Sequence, residues 1–528
     1  MTDRQAVREA AGREQYDLAV IGGGIAGAGV ARDATLRGLD TLLVEQADFA
    51  SGTTAYTTRL IHGGLRYLEQ FDFKLVFESL QERETLAEIA PHLVDELTFL
   101  IPQYDTTWPE RLKVRLGMIL YDILSYGKTM PNHEALSTEA ALDLEPSLPA
   151  SGLQGGFTYH DRQAEFVERL CLETILDADT RGAAVLNHAE ATDLRSEGDE
   201  VIGITFRDRL ADQRVDVDAR SVLNATGPWA NDIAGFADES ALVRPTKGVH
   251  LVVPQLTEHA LTLPTTDDRV VFVVPWYEYS LVGTTDTDFG EDPAEARATA
   301  ADVDYLLEEV GRFFPELDAD DIHYTYAGVR PLLAGDPEQD ASDVSRRHQV
   351  LDHAPDHAGL FSLIGAKVTP HRDAAEDATD AIAEYLGVQA TCRTAEIPLP
   401  GARGRRDSYP DVPASVKAHL FGIYGSRAEA VLERMAADPD LEQPLCEHTE
   451  DVLAQVTVAV EEEHARRLTD VIFRRCTVGF EPCEGRDAVD TVADHMAALL
   501  DWSEARKATE LERYEDFLDR RHSYQENQ

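Results

Sequence analysis

The chain has 528 residues, with 97 Asp and Glu against 48 Lys and Arg, a formal charge of −49. That charge excludes non-specific binding to a nucleic-acid backbone, which would be repelled. An apolar content of 43% is that of a packed protein, not of a disordered acidic chain, and the length suits roughly two to four domains. Only seven of the basic residues are lysines, and the acids run along the whole chain. This composition resembles that of salt-adapted proteins, because at molar salt the Debye length is about 3 Å and such a surface no longer repels itself at range.

The first fifteen residues are polar and lack the apolar core of a secretory signal, and no apolar run is long enough to span a membrane. Five cysteines (171, 392, 446, 476 and 483) are odd in number and scattered, which fits a reducing compartment. Six residues separate Cys476 from Cys483 and no second close pair exists, so the spacing predicts no zinc or iron–sulfur site and buried, unreactive thiols.

In chain order, 16–21 (YDLAVI) reads as a buried strand, 28–36 as a helix and 41–45 (TLLVE) as a second strand, a βαβ unit. Between strand and helix, Gly22, Gly24 and Gly27 fit G-x-G-x-x-G. The first permits a tight turn, the second lets a pyrophosphate approach the backbone, and the third lets helix and strand pack closely. Glu45 ends the second strand, where an acid bonds a ribose and disfavours a 2′-phosphate. A helix follows over 75–89, then another over 166–181 feeding strands at 184–188 and 201–206. The stretch 221–227 runs a strand into a tight turn. Residues 249–253 and 270–274 read as strands of a second sheet, 302–314 as a helix and 361–364 as a strand before Gly365. Beyond Pro400 the pattern is helical, and a boundary is expected near 398–401. Three glycine-bearing turns far apart in sequence point to one extended ligand, FAD rather than NAD. Thr58, His62, Gly63 and Gly64 belong to a polar loop suited to a bulky ring, while Ala225, Gly227 and Gly365 supply the other two turns.

The motifs GGGIAGAG, TTRLIHGGLRYLE, NATGPW, KGVHLVVP, VFVVPW, VGTTDTD, AGVRPLL and DVIFRRCT together resemble the FAD-dependent glycerol-3-phosphate dehydrogenases, in their haloarchaeal type, over nearly the whole chain. The resemblance implies an α/β and α+β architecture of the D-amino-acid oxidase superfamily. Its parts are a glutathione-reductase-like FAD-binding domain, a mixed-sheet substrate domain and a helical C-terminal domain. The oxidoreductase core would cover 1–395, with FAD-binding parts at about 14–75, 160–240 and 346–390 and substrate-domain parts at about 76–159 and 241–345; the C-terminal domain would cover 396–528. It further implies oxidation of sn-glycerol 3-phosphate to dihydroxyacetone phosphate, with electrons passed to quinone directly or through partner subunits. A homo-oligomer or complex subunit, cytoplasmic and peripheral on the inner membrane face, is expected. An oxygen-using oxidase is the alternative. The resemblance maps the family's substrate residues onto Arg66, Tyr67, Arg346 or its neighbour Arg347, and Lys367, with His250 as general base and Arg330 beside the developing alkoxide.

Charge patterning points the same way. In a chain with two acids per base, acid-free windows that hold bases are informative. They occur at 59–67, 244–250, 327–331 and 361–372, bringing in Arg59, Arg244, Lys247, His371 and Arg372; Arg346, Arg347 and His348 form a further cluster. If they converge, they make a pocket for a phosphate dianion. Two departures from the family pattern stand out: Ala366 and Pro370 replace a Gly and a Thr in the turn around Lys367. Residues 111–127 form a basic, apolar amphipathic stretch suited either to a lipid interface or to an ordinary helix. The GTTDTD segment has no evident chemical role.

Overall fold

A computed structural model describes residues 4–11, 15–69, 72–237, 241–267, 269–334, 347–404 and 409–527. Two sheets and a helical C-terminal region make up the molecule. At the centre of the first sheet lies Gln15–Ile21, a run apolar enough to be buried on both faces. It pairs in parallel with Thr41–Val44 on one side and Gln213–Asn224 on the other. Leu360–Ile364 extends the sheet in parallel beyond Gln213–Asn224, and Ala184–Leu186 extends it beyond Thr41–Val44. The parallel strands therefore end together at Ile21, Val44, Asn224 and Ile364, the edge where open α/β sheets bind ligands. Ile25–Leu36, Val167–Thr180 and His371–Leu386 cover the sheet, Ile25–Leu36 packing against both of the other helices.

The second sheet is mixed and ten-stranded. Its strand Val243–Pro254 pairs antiparallel with Tyr324–Leu333 along nearly its whole length, matching His250 with Tyr326, Gly248 with Gly328 and Thr246 with Arg330. Side chains alternate along a strand, so His250 and Arg330 share one face, separated by the Gly248–Gly328 pair. That glycine pair opens the floor of the site. A Cβ on Gly248 would overlap the Arg330 guanidinium, and one on Gly328 would stand 2.7 Å from the Cβ of Tyr56.

The helices Ala414–Tyr424 and Ala428–Ala437 pack into the core of the second sheet with Phe99 and Trp276, while those from Leu453–Glu462 to Glu504–Arg521 build a core of their own around Val456, Val471 and Tyr514. Buried ion pairs join this region to the first sheet. Arg475 and Arg474 both bond Asp48, at 2.5 and 2.6 Å, and Arg169 forms a bidentate pair with Glu463 at 2.6 Å to each oxygen. The DVIFRRCT motif thus acts as the clamp between the two regions. No helix among the described residues is long and apolar enough to cross a membrane.

Candidate active site

A cavity of about 1290 Å³ runs from the glycine turn at Gly22 and Gly24, past Glu45, to the strand pair carrying His250 and Arg330 and to the turn 365–370. Each glycine of the first turn has its own reason. Gly22 has φ +113°, and a Cβ there would stand 2.5 Å from the Ala225 carbonyl oxygen. A Cβ on Gly27 would overlap the Gly22 carbonyl oxygen, so the helix could not start so close to the strand. Around Gly24 only the Thr54 hydroxyl comes near, 3.4 Å from where a Cβ would stand, which leaves the backbone open to the cavity. Gly227, at φ +59° with open space where a Cβ would stand, and Gly365, at φ +73°, also line the cavity. Glu45 closes the turn: it accepts from Gly23 N–H at 2.7 Å and from Ala47 N–H at 2.9 Å, while burial pushes its carboxyl above the ordinary range.

The flavin loop divides. Thr58 and His62 line the cavity, whereas Gly63 and Gly64 do not. Their missing side chains are accounted for by protein packing. A Cβ on Gly63 would meet Leu80 and the Tyr121 hydroxyl, and Gly64 has φ +71° beneath the Tyr67 ring. The Gly63 N–H donates to the Tyr121 hydroxyl at 3.0 Å, which donates to Asp161 at 2.6 Å. Burial lowers the pKa of His62.

His250 is 2% exposed. Its ring stacks on Tyr326 with centroids 4.9 Å apart, and Nε2 lies 2.8 Å from the Thr58 hydroxyl. Nδ1 is buried without a hydrogen-bond partner. Burial first, then the Arg330 and Arg59 cations, pull its pKa down to about 3, so the ring is neutral. Arg330 is held from behind by the GTTDTD segment, to which the sequence assigned no role. Its guanidinium donates to Asp286 Oδ1 at 3.1 Å, to the Thr284 hydroxyl at 2.9 Å and to the Thr285 carbonyl at 3.2 Å. Lys367 donates from Nζ to the Tyr67 hydroxyl at 2.9 Å and lies 4.1 Å from the centre of that ring. The turn around Lys367 lines the cavity despite Ala366 and Pro370, and Thr369 accepts from the His62 N–H at 3.0 Å.

Thus His250, Arg330, Tyr67 and Lys367 meet at one cavity. The side chain of Arg66 and the whole of Arg346 lie outside the described residues. The other bases of the acid-free windows turn away to acids distant in sequence. Arg59 pairs with Glu168 at 2.6 Å, Lys247 with Asp302 at 2.7 Å, Arg372 with Glu82 at 2.6 Å and Arg244 with Asp288 at 2.7 Å. Arg347 bonds Asp72, and His371 bonds the Val368 carbonyl. Sequence reading also missed Tyr326 and the far wall, where Arg474, Phe517 and Arg521 of the C-terminal helices line the cavity. The DVIFRRCT motif was the signal for that wall.

A dinucleotide fits this arrangement. A glycine turn precedes a helix N-terminus, two further turns expose left-handed glycines to the same space, and the cavity is long enough to join them. Gly22, Gly24 and Glu45 would hold the nucleotide end, and Thr58, His62 and Gly365 the ring end.

Comparison with known proteins agrees with the geometry. Residues 17–369 match the family described as FAD dependent oxidoreductase, and residues 392–507 match the C-terminal domain of alpha-glycerophosphate oxidase. The chain is 38% identical over 539 residues to a Glycerol-3-phosphate dehydrogenase of Synechocystis sp., covering 96% of each. It is 33% identical to an Alpha-glycerophosphate oxidase of Streptococcus pyogenes, covering 96% of this chain and 95% of that one. The crystal structure of the glycerol-3-phosphate dehydrogenase of Bacillus halodurans, complexed with FAD, superposes with a TM-score of 0.80 at 28% identity, covering 98% of this chain and 97% of that one. The fold and site are those of an FAD-binding oxidoreductase. The chain belongs to the FAD-dependent glycerol-3-phosphate dehydrogenase family, and FAD is its cofactor.

Proposed function

We propose that the protein oxidises sn-glycerol 3-phosphate to dihydroxyacetone phosphate and passes the electrons to quinone at a membrane surface. The observation that carries this reading is the meeting of a neutral buried histidine, His250, with the cations of Arg330 and Lys367 at the ring end of the cavity. Bound FAD supplies the acceptor for the C2 hydride. Lys367, aligned by Tyr67, holds the phosphate dianion as a point charge. Arg330, fixed by Asp286 and Thr284, faces the C2 oxygen and stabilises negative charge as its proton leaves. His250 takes that proton on Nε2, the atom now bonded to Thr58. A pKa near 3 is that of the ring without substrate; the dianion brings in the negative charge that raises it during turnover.

The membrane part of the reading rests on the helix Trp108–Leu124. Its inner face buries Met118 and Tyr121, while Trp108, Leu116 and Ile123 are exposed at 74%, 57% and 64%. Arg111, Lys113 and Arg115 stand among them, an exception on a surface that is otherwise acidic. Apolar anchors flanked by cations suit the interface of an anionic bilayer.

Anaerobic stopped flow with the purified holoenzyme tests the chemistry. Glycerol 3-phosphate should bleach the flavin absorbance, and a water-soluble quinone should restore it; failure to bleach would remove the substrate assignment. The similarity to proteins named as oxidases supports a second reading, with oxygen as acceptor. Rapid reoxidation by oxygen with stoichiometric peroxide, together with slow reoxidation by quinone, would decide for it.

A further inference from the structure

Cys446 and Cys483 are 37 residues apart in sequence, yet the C-terminal region brings them together with His448. The two sulfurs and a His448 ring nitrogen all lie within 4.8 Å of one another. Cys446 Sγ is 3.7 Å from His448 Nδ1, and Asp487 Oδ2 lies 3.8 Å from the same nitrogen. We propose that Cys446, Cys483 and His448 bind a zinc ion, with Asp487 or a water completing a tetrahedron.

Burial pushes both thiols above their ordinary range, and backbone donors aimed at each sulfur act against it. Cys446 Sγ accepts from the His448 N–H at 3.2 Å and from the Thr449 N–H. Cys483 Sγ accepts from the N–H groups of Gly485 and Asp487. Paired backbone donors aimed at each sulfur stabilise the charge that metal-bound thiolates carry and fix their direction, as outer-shell partners of metal ligands do. The second turn is built for this. Glu484 at φ +51° and Gly485 at φ +85° bend the chain so that successive N–H groups face Cys483. The left-handed Glu484 is held by its buried carboxylate, which bonds Arg521 at 3.0 Å and His522 at 2.6 Å. Two sulfurs and an imidazole select a borderline-soft ion and reject calcium or magnesium, which need oxygen ligands. Binding displaces the two thiol protons to solvent and changes no oxidation state.

Such an ion ties two turns together behind the clamp. The Leu445 N–H donates to the Asp451 carbonyl at 2.8 Å, and the Asp451 carboxylate accepts from the N–H groups of Thr477 and Val478 at 2.7 and 2.8 Å. The ion therefore braces the end of the segment whose Arg474 and Arg475 hold Asp48. Its role is structural, since none of its ligands lines the flavin cavity.

Metal analysis of the full-length holoenzyme, produced with zinc and freed of loose metal by brief chelator dialysis, tests this. Zinc near one per chain is expected, and replacement by cobalt should give thiolate-to-metal charge transfer with tetrahedral visible bands. Cys446→Ser and Cys483→Ser should lose the metal. Because either variant could fail to fold, the exposed His448→Ala is the second test. It should keep its flavin and weaken zinc by more than roughly 100-fold in competition with a chromophoric chelator, beyond what an outer-shell change alone produces. Less than a small fraction of an equivalent of zinc, an octahedral cobalt spectrum, zinc unaltered by His448→Ala, or a Cys446–Cys483 disulfide in freshly alkylated protein would overturn the proposal.

Discussion

His250 is neutral because burial and two nearby cations oppose its charging, and this sets what pH does to the enzyme. Its folded pKa of about 3 lies below the ordinary 6.5, so between these values the unfolded chain binds the proton and the native one does not. Stability from this group is full above pH 6.5 and declines as pH falls toward 3. Accordingly, in the substrate-free holoenzyme the His250 ring should show no titration near pH 6.5, the position of an unperturbed histidine, in a histidine NMR pH series. In the proposed mechanism His250→Asn keeps the ring's place but removes the base, and stopped flow should show a fall of roughly 10²- to 10⁴-fold with FAD still bound. Asp286 acts through Arg330. Asp286→Asn should lower kcat more than it raises KM, by less than Arg330→Ala does, and Asp286→Glu should restore part of the loss. At this scale the sequence was legible where a base faces a cavity and misleading where it faces a distant acid. Lys367 and Lys247 look alike in acid-free windows, and only folding brings Asp302 to the second.

Elements with one dominant signal were readable, and elements with mixed signals were not. The strand Gln15–Ile21, the glycine turn and the helix Ile25–Leu36 agree with hydrophobic period, turn chemistry and spacing at once. Asp95–Tyr104 and Leu153–Gln163, which form a long antiparallel pair in the second sheet, escaped notice. Pro102 interrupts the first and Gly155–Gly156 the second, and their register shifts between Pro102 and Tyr104. The helix Trp108–Leu124 carried two signals, one for packing and one for lipid, and both faces exist: Met118 and Tyr121 inward, Leu116 and Ile123 outward. The proposed docking therefore has a direct check. Leu116→Glu with Ile123→Glu should abolish cosedimentation with anionic vesicles while leaving flavin reduction by substrate unchanged in solution. Retained cosedimentation would show that another surface makes the contact.

For the whole molecule, surface and interior charges answer differently to solvent. The excess of acids is spread over the exterior, so the thermal midpoint should rise as potassium chloride is raised toward molar strength, where the screening length falls to about 3 Å. Buried pairs are shielded from that screening. Arg169 and Glu463 are fully enclosed, with the guanidinium 4.0 Å from the centre of the Tyr424 ring. The neighbouring cations hold Glu463 near 2, below its ordinary 4.5, so its stabilisation is present above pH 4.5 and disappears as pH falls through about 2. Arg169→Ala should cost about 2–3 kcal/mol in denaturant unfolding, because it removes two charged hydrogen bonds from a buried carboxylate that Arg427 still pairs at 2.8 Å, and added salt should not restore it.

The far wall of the flavin cavity has a consequence in time. Gly22 and Glu45 leave the ribosome more than 400 residues before Arg474, Phe517 and Arg521, which close the same space. Synthesis runs from the N-terminus, and domains generally fold as they emerge. The nascent protein therefore holds a one-sided binding site until the helix Glu504–Arg521 emerges, and tight capture of its cofactor waits for that helix.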